Sequence, residues 1–310
     1  MTADAATLGL WGVPLAVLGG ALRVSTPFLF VSLGECVTER SGRVNLGLEG
    51  TLVMGAMSGY GVSYLTGSAW LGVAAAGAVG ALFGVLHGYL CARPRVNDIA
   101  VGIALMLLGT GLAFFLGKPL VQPSAPRLPA LSLGAAFSSA QVRSALEVNV
   151  LFLLGAALAP TLRWALKNTR YGLALRTVGE SAEAARAMGY DVNRVRLLAT
   201  ALGGTLAGIG GSFLSLFYPG SWNEGLSSGQ GLMAVALVIF ARWDPVRCLY
   251  ASLLFGGASA LGPALQSVGI TTGYYLFNAT PYALTLLIMV LSSSATQTSA
   301  DMPAELSRAR

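Results

Sequence analysis

The chain has 310 residues, of which 55% are apolar and only 10% charged, with 40 glycines. A soluble domain holds about 25% charged residues, so too little charge is present here to clothe a soluble surface. The net charge of +6 would suit a nucleic-acid binder in a soluble protein. In a membrane protein, the gathering of basic residues on one face accounts for it, and no nucleic-acid partner is expected.

The class that remains is an all-α, polytopic membrane protein in contact with lipid, in which glycine and alanine let helices approach closely. The opening MTADAATLGLW has no basic region before its apolar run. A cleaved signal peptide is therefore not expected, and the first run should stay as a span.

Apolar stretches fall at about 8–22, 24–38, 46–66, 69–92, 98–117, 148–166, 196–218, 230–241, 247–266 and 274–292. A crossing needs roughly 20 apolar residues, so the chain has room for about eight to ten transmembrane helices. The second and eighth stretches are short for a straight crossing. They are expected to be broken or re-entrant, with protein or a water-filled cavity shielding the backbone. Cys36, Cys91 and Cys248 lie in or beside apolar runs without paired spacing; they read as packing residues, and no metal site is expected.

If the ten stretches alternate, one face collects Arg40, Arg43, Arg93, Arg95, Arg163, Lys167, Arg170, Arg176, Arg186, Arg194, Arg196, Arg242, Arg247, Arg308 and Arg310. The other face has Lys118, Arg127 and Arg143, while Arg23 is ambiguous. That asymmetry assigns the basic face to the cytoplasm, with both termini there. The segment 118–147 carries Pro119, Pro123, Pro126 and Pro129 and no long apolar run, and reads as the main external loop. One membrane domain over 1–292 and a disordered cytoplasmic tail over 293–310 complete the organisation.

The longest interior polar segment spans about 167–195. Within it, Ala182 to Met188 is a run of good helix formers that Ser181 can cap and Gly189 can end. Glu183 falls near the positive end of that helix, where a carboxylate is favoured. Two turns are not stable alone in water, so the helix must dock. Ala184, Ala185 and Met188 supply a small apolar face. Docking against its own spans and docking in a groove of a separate motor subunit are both open readings of that face.

The stretch from Tyr171 to Ser212, with Glu183-Ala184-Ala185, Gly189 and the Gly/Ala-rich Leu202 to Gly211, resembles the corresponding region of ABC importer permeases for simple sugars and nucleosides. Glu39-Arg-Ser-Gly-Arg-Val-Asn-Leu-Gly-Leu-Glu-Gly50 is similar to the E-R-x-G-x-x-N-x-G-x-E-G segment of the nucleoside-type branch. Arg95-Val-Asn-Asp-Ile99 and Gly229 to Pro245 add to a likeness covering about residues 30–290. Arg242-Trp-Asp-Pro departs from it, because relatives more often carry a glycine-containing turn there.

The resemblance implies a bacterial inner-membrane import channel that binds no cofactor itself. A separate ATP-binding cassette subunit would hold ATP and Mg and couple through Glu183, Ala184, Ala185, Met188 and Gly189. A second, different permease chain and an extracytoplasmic solute-binding protein are implied too, with nucleosides or related purines or simple sugars as the solute. The chain has no phosphate loop of its own, since Gly117-Lys118 is followed by Pro119. Leu226-Ser-Ser-Gly-Gln230 mimics an ATPase signature by coincidence.

Ionisable and amide groups at membrane depth are the candidates for the solute path. Glu35, Glu39, Arg40, Arg43, Asn45 and Glu49 separate two apolar stretches; Asn45 and Glu49 suit polar heterocycles or ribose hydroxyls, although an interior turn of paired charges fits as well. Asn97 and Asp98 enter the next span as a cap or as part of the path. Phe217, Tyr218 and Trp222 read as an interface belt, or as stacking groups for a base. Asn278 and Gln266 are weaker candidates.

His87 is the single histidine and suits a helix–helix hydrogen bond. An intramembrane serine protease would need a base beside its serine, but no G-x-S-G occurs and His87 is the only histidine. An ion-driven carrier would hold its carboxylates away from span ends, whereas these cluster there.

Overall fold

The computed structural model describes residues 12–132, 142, 147–267, 269, 277, 279–292 and 302–308. Its helices are α1 (Gly12–Arg40), α2 (Leu48–Thr66), α3 (Ala69–Cys91), α4 (Asp98–Gly117), α5 (Val150–Asn168) and α6 (Arg170–Glu180). They are followed by α7 (Ala182–Ala187), α8 (Val192–Leu216), α9 (Gln230–Phe240), α10 (Pro245–Ser267), α11 (Thr280–Ser292) and α12 (Ala304–Arg308). One exception to the all-α expectation is an antiparallel ribbon of β1 (Ala130–Ser132) and β2 (Glu147–Asn149), with Leu131 opposite Val148.

Six helices are long and apolar enough to cross a membrane: α1, α3, α4, α5, α8 and α10. The expected eight to ten is not reached on that criterion among the described residues. The 19-residue α2 is more polar and lies largely buried between its neighbours, and the 11-residue α9 is shorter. At 1.5 Å per residue, α9 extends only about 16 Å, roughly half of the hydrocarbon core.

A further correction concerns the first two stretches. They form one helix, because Arg23 and Pro27 interrupt the apolar run without supplying a turn. Consequently α1 begins at the face opposite Arg40, and its start does not share the basic face as expected. Residues 1–11 lie outside the described residues.

The centre of the bundle is α8, which packs on α1, α2 and α3. No hydrophobic effect operates between helices in lipid, so association depends on close packing. A Cβ on Gly34 of α1 would meet Gly203 O at 2.6 Å, and one on Gly55 of α2 would meet Gly208 Cα at 2.6 Å. On the third side, Gly80 and Gly84 of α3 lie against the backbone of Gly204 and Thr200. Those pairings run α1 and α3 antiparallel to α8. Beyond this block, α10 packs on α1 and α4 packs on α2.

Specific contacts identify the two ends. At one end, Arg40 Nε donates to Trp243 O at 3.0 Å, Arg196 Nε donates to Ser41 O at 3.1 Å, and Arg163 pairs with Asp244 at 3.3 Å. These bonds bring together the ends of α1 and α5, the start of α8 and the α9–α10 turn, and with them most of the basic residues. At the other end the 121–129 segment is pinned down. Tyr60 Oη donates to Pro123 O at 2.7 Å, Ser63 Oγ to Pro126 O at 3.0 Å, and Leu128 N to Leu216 O at 2.9 Å. Lys118 and Arg127 belong to this end, whereas Arg143 lies outside the described residues.

The disordered tail expected over 293–310 does not hold for 302–308. There α12 folds back to the basic end, because Met302 and Leu306 find apolar partners in the main core.

Candidate functional site

The polar cluster at 35–49 is built at the basic end of α1 and the connection into α2. Glu35 and Glu39 are one turn apart and both buried. Glu35 Oε1 accepts from Asn45 N at 2.7 Å, and Trp243 Nε1 donates to Glu39. Asn45 turns its side chain inward, Oδ1 accepting from Gly47 N at 3.0 Å, so it shapes the approach to α2.

Glu49 has a different role from its neighbours. Its carboxylate accepts from Ser227 Oγ (2.6 Å), Gly229 N (3.2 Å), Gly231 N (2.6 Å) and Leu232 N (3.3 Å). It therefore closes the first turn of α9, whose N–H groups have no partners within the helix, and it meets the positive end of the helix dipole there. The stretch Leu226 to Gln230 that mimics an ATPase signature is the loop wrapped around this carboxylate. Nothing local in the sequence pairs Glu49 with residues about 180 positions away.

Arg242 and Trp243 have φ of 50° and 54°, a left-handed backbone that costs non-glycine residues about 1–2 kcal/mol each. This is the place where the family resemblance leads one to expect a glycine-containing turn. Trp243 is held there by its indole bond to Glu39 and its carbonyl bond from Arg40.

Asn97 caps α4, with Oδ1 accepting from Ala100 N at 3.0 Å. Asp98 forms an ion pair with Arg43, whose second nitrogen donates to Cys91 O. This pair ties the α3–α4 turn to the connection before α2. Asp98→Ala leaves the part-buried guanidinium without its counter-charge, at a cost of about 3 kcal/mol. The expected result is a lower midpoint of thermal unfolding in detergent, and an unchanged midpoint would make the pair dispensable.

At the opposite end, Trp222 is 1% exposed and lies over Gly117 at the close of α4. Burial removes it from any lipid-facing belt. Phe217 is half-buried, its ring 5.1 Å from that of Phe213, while Tyr218 is exposed. The structure does not bring these aromatics to Asn45 or Asn97. Gln266 is exposed, and Asn278 lies outside the described residues. His87 is buried, with Nε2 3.6 Å from Cys91 Sγ. Cys36, Cys91 and Cys248 are all buried free thiols, as expected of packing residues.

The short helix α7 starts at Ala182 as expected and ends at Ala187, one residue before the expected Met188. Ser181 Oγ accepts from Ala184 N at 3.2 Å, and Gly189 ends the turn at φ 85°. Its faces divide differently from expectation, however. Ala185 does not share an open face with Ala184 and Met188; it is buried with Val178, Ala182 and Val192. Glu183, Ala184 and Met188 are exposed, Met188 at 60%. Nothing lies within 4 Å of where a Gly189 Cβ would be. The helix is thus seated on its own chain by one side and open on the other.

Comparison with known proteins places this geometry. The family described as branched-chain amino acid transport system / permease component matches residues 17–293. The chain belongs to that family. Among its relatives is a protein of Haloferax volcanii provisionally named as a glucose ABC transporter permease, 35% identical over 82% of this chain and 79% of its own. A nucleoside ABC transporter permease of Lactococcus lactis subsp. cremoris is 29% identical over 89% and 91%. A guanosine ABC transporter permease of Bacillus subtilis is 30% identical over 88% and 90%. This permease is therefore a multi-pass membrane protein and the transport subunit of an ABC system, and α7 is an exposed element at its basic end.

Proposed function

We propose that this permease carries nucleosides, or related purines, into the cell as one half of an ATP-driven pore. The observation that carries the solute class is the identity of 29–30% along about nine-tenths of two permeases named for nucleoside and guanosine. The Glu39 to Gly50 segment, resembling the nucleoside-type branch, supports the same reading. A simple sugar is the second reading, favoured by the 35% identity to the glucose-named relative. Uptake of radiolabelled guanosine against glucose, in cells lacking other importers, separates the two. Glucose uptake without guanosine uptake overturns the first.

The basic end faces the cytoplasm of a bacterial inner membrane in this proposal. The C-terminal segment 302–308 lies on that side. ATP and Mg belong to a separate cassette subunit, a second and different permease chain completes the pore, and a solute-binding protein delivers from outside. The open side of α7, formed by Glu183, Ala184 and Met188 with Gly189 at its end, enters a groove of the cassette subunit. Asn45 and Asn97 remain candidates for the path near the basic end, and Phe217 and Trp222 for its outer mouth. Glu49 would act on the path indirectly, by placing α9.

Ala184→Arg combined with Met188→Asp alters only exposed positions. It is expected to cut recovery of the cassette subunit in a mild-detergent pull-down by tenfold or more, the equivalent of about 1.4 kcal/mol, while leaving the permease monodisperse. Undiminished recovery would refute this docking face.

A further inference from the structure

The cluster beneath α7, made of Val178, Ala182, Ala185 and Val192, is separate from the main core. Val192 is also the first residue of α8, so a push on α7 reaches that helix directly, and it reaches α1 and the α1–α2 connection through further junctions. Gly179, whose Cα faces the carbonyl of Arg40, is one junction. The C-terminal segment is another. Met302 and Leu306 pack on the main core, while Glu305 between them reaches α7. Glu305 Oε1 accepts from Ala182 N at 3.2 Å, and Oε2 accepts from Arg196 Nη2 at 2.9 Å.

Arg196 continues the connection through Nε to Ser41 O at 3.1 Å. A Cβ on Gly42 would come within 2.7 Å of Glu305 Cβ. A single side chain thus meets the first turn of α7 and the base of α8 through its carboxylate, and the α1–α2 connection through its Cβ. The Arg196 and Glu305 side chains are both 13% exposed. The ion pair is shielded, and a charged hydrogen bond of this kind is about twice as strong as a neutral one.

We propose that α12 is a strap and that Glu305 is a positioning residue, transmitting movement of α7 to the α1–α2 connection and α8. This rests on reading α7 as the docking element for the cassette subunit. The prediction is a loss of coupling between nucleotide state and the outer end of the membrane helices, with no loss of fold.

The test uses the purified complex with its cassette subunit. Tyr64, exposed at the outer end of α2, is changed to cysteine and its alkylation rate followed with and without ATP and vanadate. The native cysteines are buried. Adding Glu305→Ala is expected to shrink the nucleotide-dependent change in rate about five-fold, the effect of roughly 1 kcal/mol. Glu305→Gln, which keeps an acceptor for Ala182 N, should fall between. Cassette recovery and basal ATP hydrolysis should stay at parental values, while the unfolding midpoint of Glu305→Ala falls with the loss of the Arg196 ion pair.

A full-sized response in Glu305→Ala overturns the proposal. So does a parallel fall in response, midpoint and cassette recovery, which would make α12 simple packing. Absence of a cassette subunit from the parental preparation would instead overturn the reading of α7, and is seen before any substitution is made.

Discussion

Glu49→Ala is expected to abolish solute uptake and lower stability by about 4 kcal/mol. The substitution strips acceptors from Ser227 Oγ, Gly229 N, Gly231 N and Leu232 N together. The site is buried inside the bundle, where a buried donor left unmade costs about 1–3 kcal/mol and water is not at hand to replace the partner. α9 would lose its fixed start, and with it the placement of the Arg242–Trp243 turn against Arg40 and Glu39. Glu49→Asp keeps the charge and falls short by one methylene, so it should recover part of both losses. Thermal unfolding in detergent and uptake in cells measure the two effects. A stable, active Glu49→Ala would mean that α9 starts where it does for another reason.

Second in size is the replacement of a glycine at the centre of the block. Gly208→Val places branches where α8 meets the backbone of Ala76 and lies 3.1 Å, from its would-be Cβ, to Gly80 Cα. Those neighbours are main chain and cannot rotate away. Overpacking costs about 1–3 kcal/mol where side chains can yield, and this site should reach or exceed the upper figure. The expected result is loss of monodisperse protein on size-exclusion chromatography. Gly111→Ala on α4 is the matched control. Nothing lies within 4 Å of its would-be Cβ, and a helix gains about 1 kcal/mol from the exchange. If both variants behave alike, the close approach of backbones is not what holds α8.

Local chemistry was the legible part of this chain. Asn97 and Ser181 cap their helices and Gly189 ends α7 because each acts within a few residues of itself, so spacing alone exposes the role. The basic end was legible too, since joining the first two stretches into one helix leaves the side assigned to Arg40 and the later basic residues unchanged. The merging of the first two stretches was not, because a single Arg23 in an apolar run has no turn chemistry beside it. Glu49 was visible as an ionisable group at depth, but its partners lie across the chain on a helix it does not touch in sequence. The same applies to Glu305. A short polar segment has no periodicity to display, and its helix is held by the packing of Met302 and Leu306 and by the bonds of Glu305 to Ala182 and Arg196.

The membership in a permease family turns the packing of α8 into a statement about stiffness. A helix whose main chain rests on three others through glycine faces has no soft direction. Sliding it lengthwise drives Gly203, Gly204 and Gly208 past the residues that flank their partners, and rotating it presents Leu206 or Phe213 to a gap sized for no side chain. The block of α1, α2, α3 and α8 is then a single lever rather than a set of pistons. Force applied at the basic end tilts it whole, and in the proposed two-permease pore the opening of a path becomes a matter of how two such levers lean against each other.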